Sequence, residues 1–340
     1  MFSAPILAMH IPDGFLSVSV AVIGWFLMAV LVFLAIRQTR LQLSEKQIPF
    51  MGILAAFIFA AQMINFPVAG GTSGHLLGGT LAAILLGPWP AVLVMTSVVA
   101  VQAILFQDGG LLALGFNVVN MGILAAFVGY ATYVGVQRTA GQSRAARLGG
   151  AAVGAWLSVV AAATATALEL VFSGTSALGV ALPAMIGVHV LIGIGEALIT
   201  VGALAFVQQV RPDLAGEPAS AAARGSGWIA VGLLIALAVA LISPLASPEP
   251  DGLERVALDL AAQGQFDDLD SEDVAGEAES LASGQPPAFE ILPDYTVPLI
   301  EDTNLSTIAS GIIGVLIVAG VGYGVARLSR RGASEQAVQE

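Results

Sequence analysis

The sequence contains no cysteine. Disulfides, thiolate metal centres and paired-cysteine redox motifs are excluded, and any metal ion must be held by histidine nitrogen, carboxylate or backbone groups. Charge is scarce: 11% of the 340 residues are Asp, Glu, Lys or Arg, against about 25% in an ordinary soluble domain. Lysine occurs once, as Lys46 in "LSEKQIP". No G-x-x-x-x-G-K-[ST] phosphate loop exists, so ATP hydrolysis of that kind is excluded. The formal charge of −12 comes mostly from one polar loop; nucleic acid, which would need a basic face, is not an expected partner. Histidine occurs three times, at His10, His75 and His189.

Apolar residues are abundant. They make up 57% of the chain and raise the mean hydropathy to +0.88, more than a buried core absorbs. The fold class is an all-α polytopic membrane protein in a lipid bilayer. Apolar runs place spans near 18–36, 50–66, 76–87, 91–106, 111–136, 148–172, 183–209, 228–246 and 307–326. The third, "HLLGGTLAAILLG", is short and glycine-rich, which predicts a buried or broken helix. Nine spans put the chain ends on opposite sides. Arg37, Arg40, Lys46, Arg138, Arg144, Arg147, Arg211, Arg224, Arg327, Arg330 and Arg331 then share one side, and only Arg255 lies on the other. The cationic side is cytoplasmic, so the N-terminus faces outward and the C-terminus inward.

The chain divides into unequal units. Residues 9–210 read as a seven-helix bundle with short loops. Residues 211–227, "RPDLAGEPASAAARGSG", read as a cytoplasmic linker. Residues 228–326 read as two spans flanking an outer loop, 247–306, which holds fifteen of the twenty-four acidic residues. Residues 327–340 form a cytoplasmic tail. Residues 1–8, "MFSAPILA", lack a basic n-region and are shorter than a usual signal peptide. Translation from Met9, or trimming to it, is the expectation.

By this topology His10 and His75 lie on the same outer side. They are either a metal-ligand pair or two unrelated histidines at helix ends, each bonded locally. The sequence around His10, "MHIPDGFLS", adds chemistry to the first reading. With Met9 as the mature terminus, its amine, the His10 amide nitrogen and the His10 ring nitrogen reach one ion. Amine and amide share a five-membered chelate ring, and amide and imidazole a six-membered one. His75 completes a square. Tetragonal nitrogen coordination suits Ni(II) or Cu(II), and a related site takes Co(II).

The segments "MHIPDGFLS", "GGTSGHLLGG", "LLGPWPAVLVMTSVVAVQAILFQDGGLLALGFNVVNMG" and "HVLIGIGEALIT" resemble the cobalt/nickel substrate-binding component (CbiM/NikM family) of energy-coupling factor transporters. "PEPDGLERVA" at 248–257 resembles the PDGLE domain, related to the small accessory subunit of those systems. Together the resemblances cover about residues 9–326. They imply a substrate-binding membrane subunit of the prokaryotic cell membrane with its N-terminus inserted into the core. They also imply Met9, His10 and His75 as metal ligands, and Co(II) or Ni(II) as cargo. The implied partners are a transmembrane coupling (T) subunit and cytoplasmic ATPase subunits. The eight residues ahead of Met9 depart from the family pattern.

Other polar residues allow two readings each. Asp13 either orients a histidine or caps the first span. Asp108, with Gly109 and Gly110, forms the outer turn after the fourth span. Asn117 and Asn120 share one helix face and, like Gln62 and Gln102, either hold the histidine loop or join helices. Glu169, His189 and Glu196 lie inside spans, which is costly. His189 and Glu196 stand two helical turns apart and are expected to form a satisfied polar pair. The competing reading makes Glu169, His189 and Glu196 the ion relay of a stand-alone carrier or channel. A third makes the chain a membrane metal sensor without transport.

Overall fold

The computed structural model describes residues 10–69, 71–211, 227–253, 255–256 and 291–336. Apolar runs become helices because a backbone in lipid finds hydrogen-bond partners only within itself. The helices are α1 (Val18–Gln42), α2 (Gln47–Gln62), α3 (Gly79–Leu86), α4 (Pro88–Phe106), α5 (Leu114–Ala140), α6 (Arg144–Ser173), α7 (Leu178–Val210), α8 (Gly227–Leu241) and α9 (Thr303–Gln336). Of these, α1, α4, α5, α6, α7 and α9 are long and apolar enough to cross a membrane. The protein is a multi-pass helical membrane protein.

Several expected spans are shorter in the structure. α2 ends at Gln62, where the chain turns into a hairpin of β1 (Phe66–Val68) and β2 (Thr72–Gly74) that pairs Phe66 with Gly74. α3 has eight residues and rises only about 12 Å. Its left-handed N-cap, Gly78 at φ 85°, marks the break from the extended segment before it. All of α3 except Ile84 is buried. α8 stops at Leu241, and the turn Ser243–Leu245 follows. α9 continues to Gln336, past the expected end of the span at 326.

The helices pack in two ways. α1 exposes Val22, Phe26 and Phe33, the pattern of a lipid-facing helix. It crosses α5 where a Cβ on Gly115 would lie 2.3 Å from the backbone of Gly24 and Trp25, so only glycine admits that approach. The interior helices α2, α3 and α4 bury Met51, Phe59, Leu81, Met95 and Val98 in one core, which Val315 and Val318 of α9 join. Two stretches widen to π-helix, Gln102–Phe106 at the end of α4 and Val118–Leu124 within α5. Such widened turns are frequent at functional sites. Here they flank the loop that carries Asp108.

Candidate metal centre

The segment before α1, the hairpin with the strand leading to α3, the α4–α5 loop, and the loops of the C-terminal unit meet at one end of the bundle. Each is tied by buried polar groups. Asn117 of α5 grips the backbone of Ile11 at both ends: Ile11 N donates to Oδ1 at 2.8 Å, and Nδ2 donates to the Ile11 carbonyl at 3.1 Å. Gly110 N also donates to that carbonyl, at 2.9 Å. Residue 10 is therefore fixed from its C-terminal side. Ile11 packs with Leu16, Phe116, Leu170 and Met185. Gly109, at φ 91°, has no room for a side chain, since a Cβ would meet His10 Cβ at 2.7 Å.

His75 is held by a second set. Gln62 Nε2 donates to the Leu77 carbonyl at 2.8 Å. The Glu196 carboxylate accepts from Leu77 N at 2.6 Å and Gly78 N at 3.0 Å. The His75 ring places Nδ1 2.9 Å from the Leu76 carbonyl. That carbonyl can only accept, so Nδ1 carries the hydrogen and Nε2 is the acceptor nitrogen. A metal-binding histidine usually has its other nitrogen occupied in this way.

The two tethers bring His10 and His75 together. Their rings lie nearly parallel, 5.9 Å between centroids and 12° between planes. Both residues are buried, 1% and 0% exposed. Burial, then the neighbouring His10, lowers the His75 pKa to about 4, so its ring is neutral near pH 7 and fit to bind a metal. His10 Nδ1 lies 2.9 Å from Asp108 Oδ1, a charge contact without hydrogen-bond geometry, and both His10 ring nitrogens are buried with no hydrogen-bond partner. Burial works to raise the Asp108 carboxyl. The imidazole of His10 and the hydroxyl of Tyr295 outweigh it and hold Asp108 below the ordinary carboxylate range.

The structure separates residues that the sequence left ambiguous. Asp13 touches neither histidine and does not cap α1. Its carboxylate accepts from Leu111 N, Leu112 N and Ala113 N, at 3.0, 2.8 and 3.2 Å, bracing the α4–α5 loop. Asn120 lies away from the histidine loop and donates to Thr166 Oγ1 and Glu169 Oε2. His189 and Glu196 are not bonded to each other: Glu196 serves the His75 segment, and His189 Nδ1 pairs with the Met185 carbonyl at 2.7 Å. Met9 lies outside the described residues. Among the described residues no group of three His, Cys, Asp or Glu side chains is arranged to hold a metal ion. An ion between His10 and His75 therefore needs further donors, such as backbone or terminal nitrogen.

Sequence reasoning missed the C-terminal unit's reach into this end. Ser73 N donates to the Pro250 carbonyl and Ser73 Oγ to the Glu249 carbonyl, each at 2.7 Å. Gly252 sits where a Cβ would meet His189 Cε1 at 2.7 Å, so the "PDG" turn needs its glycine. Tyr295 donates to Asp108 Oδ2 at 2.5 Å.

Comparison with known proteins fits this geometry. Residues 10–214 match the family described as the cobalt uptake substrate-specific transmembrane region, CbiM. The chain belongs to the CbiM family. Residues 226–331 match the PDGLE domain, so the CbiM unit is followed by a second recognised one. The chain is 36% identical over 325 residues to a putative fused nickel transport protein NikMN of Archaeoglobus fulgidus, covering 95% of this chain and 99% of that protein. It is 31% identical over 362 residues to the fused nickel transport protein NikMN of Rhodobacter capsulatus, with coverage of 95% and 99%. A crystal structure of a truncated transition metal transporter superposes with a TM-score of 0.54 at 35% identity, covering 59% of this chain and 99% of that one. This CbiM–PDGLE chain is a metal-transport membrane protein.

Proposed function

We propose that the chain captures Ni(II) or Co(II) at His10 and His75 and is the substrate-binding component of an ATP-driven energy-coupling factor importer. The observation that carries this reading is the pairing of two buried imidazoles, 5.9 Å apart, from segments 65 residues apart in sequence. Each is fixed by its own set of hydrogen bonds. Two imidazoles make half of a nitrogen square. The Met9 amine and the His10 amide supply the other half when Met9 is the chain end. A donor set of nitrogen alone suits Ni(II), and Co(II) in a related geometry.

The remaining parts follow from charge and from what the chain lacks. The end opposite the histidines holds Glu45, Arg211 and Arg330, which supports placing it in the cytoplasm. The histidine end then faces outward, where an ion arrives. Energy comes from partner chains, a coupling subunit and ATPases, since this one has no phosphate-binding lysine loop. Glu169 bonds Asn120, Glu196 bonds the His75 segment and His189 bonds back to its own helix, which favours capture over an ion relay through the membrane. Asn117 supports the site from behind, the Asp108 carboxylate faces the His10 ring, and Asp13 acts indirectly, through the loop it braces.

The test is nickel binding by purified His75→Ala in detergent. Tight binding is lost while the elution profile and helical content stay those of the wild type. Undiminished affinity in that variant contradicts the reading. Nickel uptake by cells that requires co-expressed ATPase partners supports the importer assignment. Uptake by the chain alone contradicts it.

A further inference from the structure

Tyr295 belongs to the C-terminal unit, yet its hydroxyl ends on the carboxylate that faces His10. Its position is well fixed. It closes the turn Pro293–Tyr295, with left-handed backbone at Asp294 (φ 47°) and Tyr295 (φ 56°), an arrangement that persists only where the surroundings enforce it. The Leu292 amide donates to the Leu105 carbonyl at 3.0 Å, and Ser310 Oγ donates to the Tyr295 carbonyl at 2.5 Å. The ring stacks on Phe106, 4.7 Å between centroids and 17° between planes, and packs against Phe59. Gln102 Nε2 donates to the phenol oxygen at 3.3 Å, so the hydroxyl hydrogen is directed to Asp108 Oδ2.

The two oxygens of Asp108 thus have different partners. Oδ2 takes the Tyr295 hydroxyl at 2.5 Å, and Oδ1 lies 2.9 Å from His10 Nδ1. Nδ1 is also the nitrogen that closes a six-membered ring with the His10 amide on a shared ion. The carboxylate and the cargo address the same nitrogen, so capture exchanges one for the other. We infer that Tyr295 is a positioning residue for metal capture: its hydroxyl sets the Asp108 carboxylate against His10 Nδ1 and draws off part of the carboxylate's acceptor strength. The C-terminal unit thereby tunes how readily His10 is released to the ion. This inference rests on the capture function proposed above.

Tyr295→Phe tests it, because the ring and its stacking on Phe106 remain and only the hydroxyl goes. Asp108 then loses its hydroxyl donor, and its charge bears wholly on the His10 imidazole. Nickel affinity falls by up to about tenfold, the worth of one hydrogen bond. The visible absorption band of bound Ni(II) stays where it is, because the donor atoms are unchanged. In an Asp108→Asn background the same hydroxyl deletion changes affinity by less than about twofold, since contacting groups couple and the carboxylate is the link. Unchanged affinity in Tyr295→Phe overturns the inference. So does a shifted band, or an equal loss in both backgrounds. Failure of the capture reading looks different: the wild type does not bind nickel, or His75→Ala binds as the wild type does.

Discussion

The two ends of the bundle use their polar residues differently. At the histidine end, Asn117, Gln62, Glu196 and Asp108 are buried, and each bonds to a loop rather than to another helix. At the opposite end, Arg330 pairs with Glu45 at 2.9 Å, but the side chains are 40% and 81% exposed. Arg211 lies over the Trp228 ring, 4.4 Å from its centroid. A buried hydrogen bond to a charged group is costly to leave half-made, whereas an exposed ion pair contributes between nothing and about 1 kcal/mol. The chain has few polar residues, and several of those that are expensive to bury stand where two loops hold two imidazoles in register.

That contrast is open to direct attack. The largest effect is expected at Glu196→Ala, which leaves the Leu77 and Gly78 amides buried without their acceptor. Stability falls by about 3 kcal/mol, and nickel affinity falls at least about tenfold because the His75 segment loosens. Chemical denaturation and equilibrium dialysis read the two. Asn117→Ala removes both contacts to Ile11 and costs about 2 kcal/mol. Its nickel dissociation rate rises, while the spectrum of the ion still held is unchanged.

Acid provides a third attack. His75 has a folded pKa of about 4, against about 6.5 unfolded. As pH falls from 6.5, the unfolded chain takes the proton first, so the His75 contribution to metal-free stability declines and is fully lost by about pH 4. Asp108, depressed below 3.8, acts in the same direction at still lower pH: its contribution is present above that value and fades as pH falls. Melting series in detergent show it as a difference: wild type loses stability relative to His75→Gln as pH falls from 6.5 to 4. The smallest effect belongs to the far end. Glu45→Gln changes stability by less than about 0.5 kcal/mol and leaves nickel affinity alone. A large effect there would erase the contrast between the ends.

Much of this architecture is legible in the sequence, and the illegible part has physical causes. Apolar runs locate the helices because lipid allows only internally bonded backbone. They do not locate where a helix stops short. α2 ends at Gln62 because the next residues pair as a hairpin, a tertiary preference that hydropathy does not carry. The scarcity of histidine singled out His10 and His75, and the alternation of spans put them on one side. Asn117 was legible as a residue able to hold a loop, but its spacing gave Asn120 the same standing, and only packing sends Asn120 to Glu169 instead. The Tyr295 contact was invisible. Its partner lies 187 residues away, and a tyrosine in an acidic outer loop carries no mark of the carboxylate it will meet.

The central claim is that a single transition-metal ion is held by nitrogen from His10 and His75. X-ray absorption on the nickel-loaded protein tests it most directly. The account predicts a four-coordinate nickel with nitrogen donors only and the multiple-scattering signature of two imidazoles. A six-coordinate, oxygen-rich ion, or a spectrum without imidazole scattering, contradicts it.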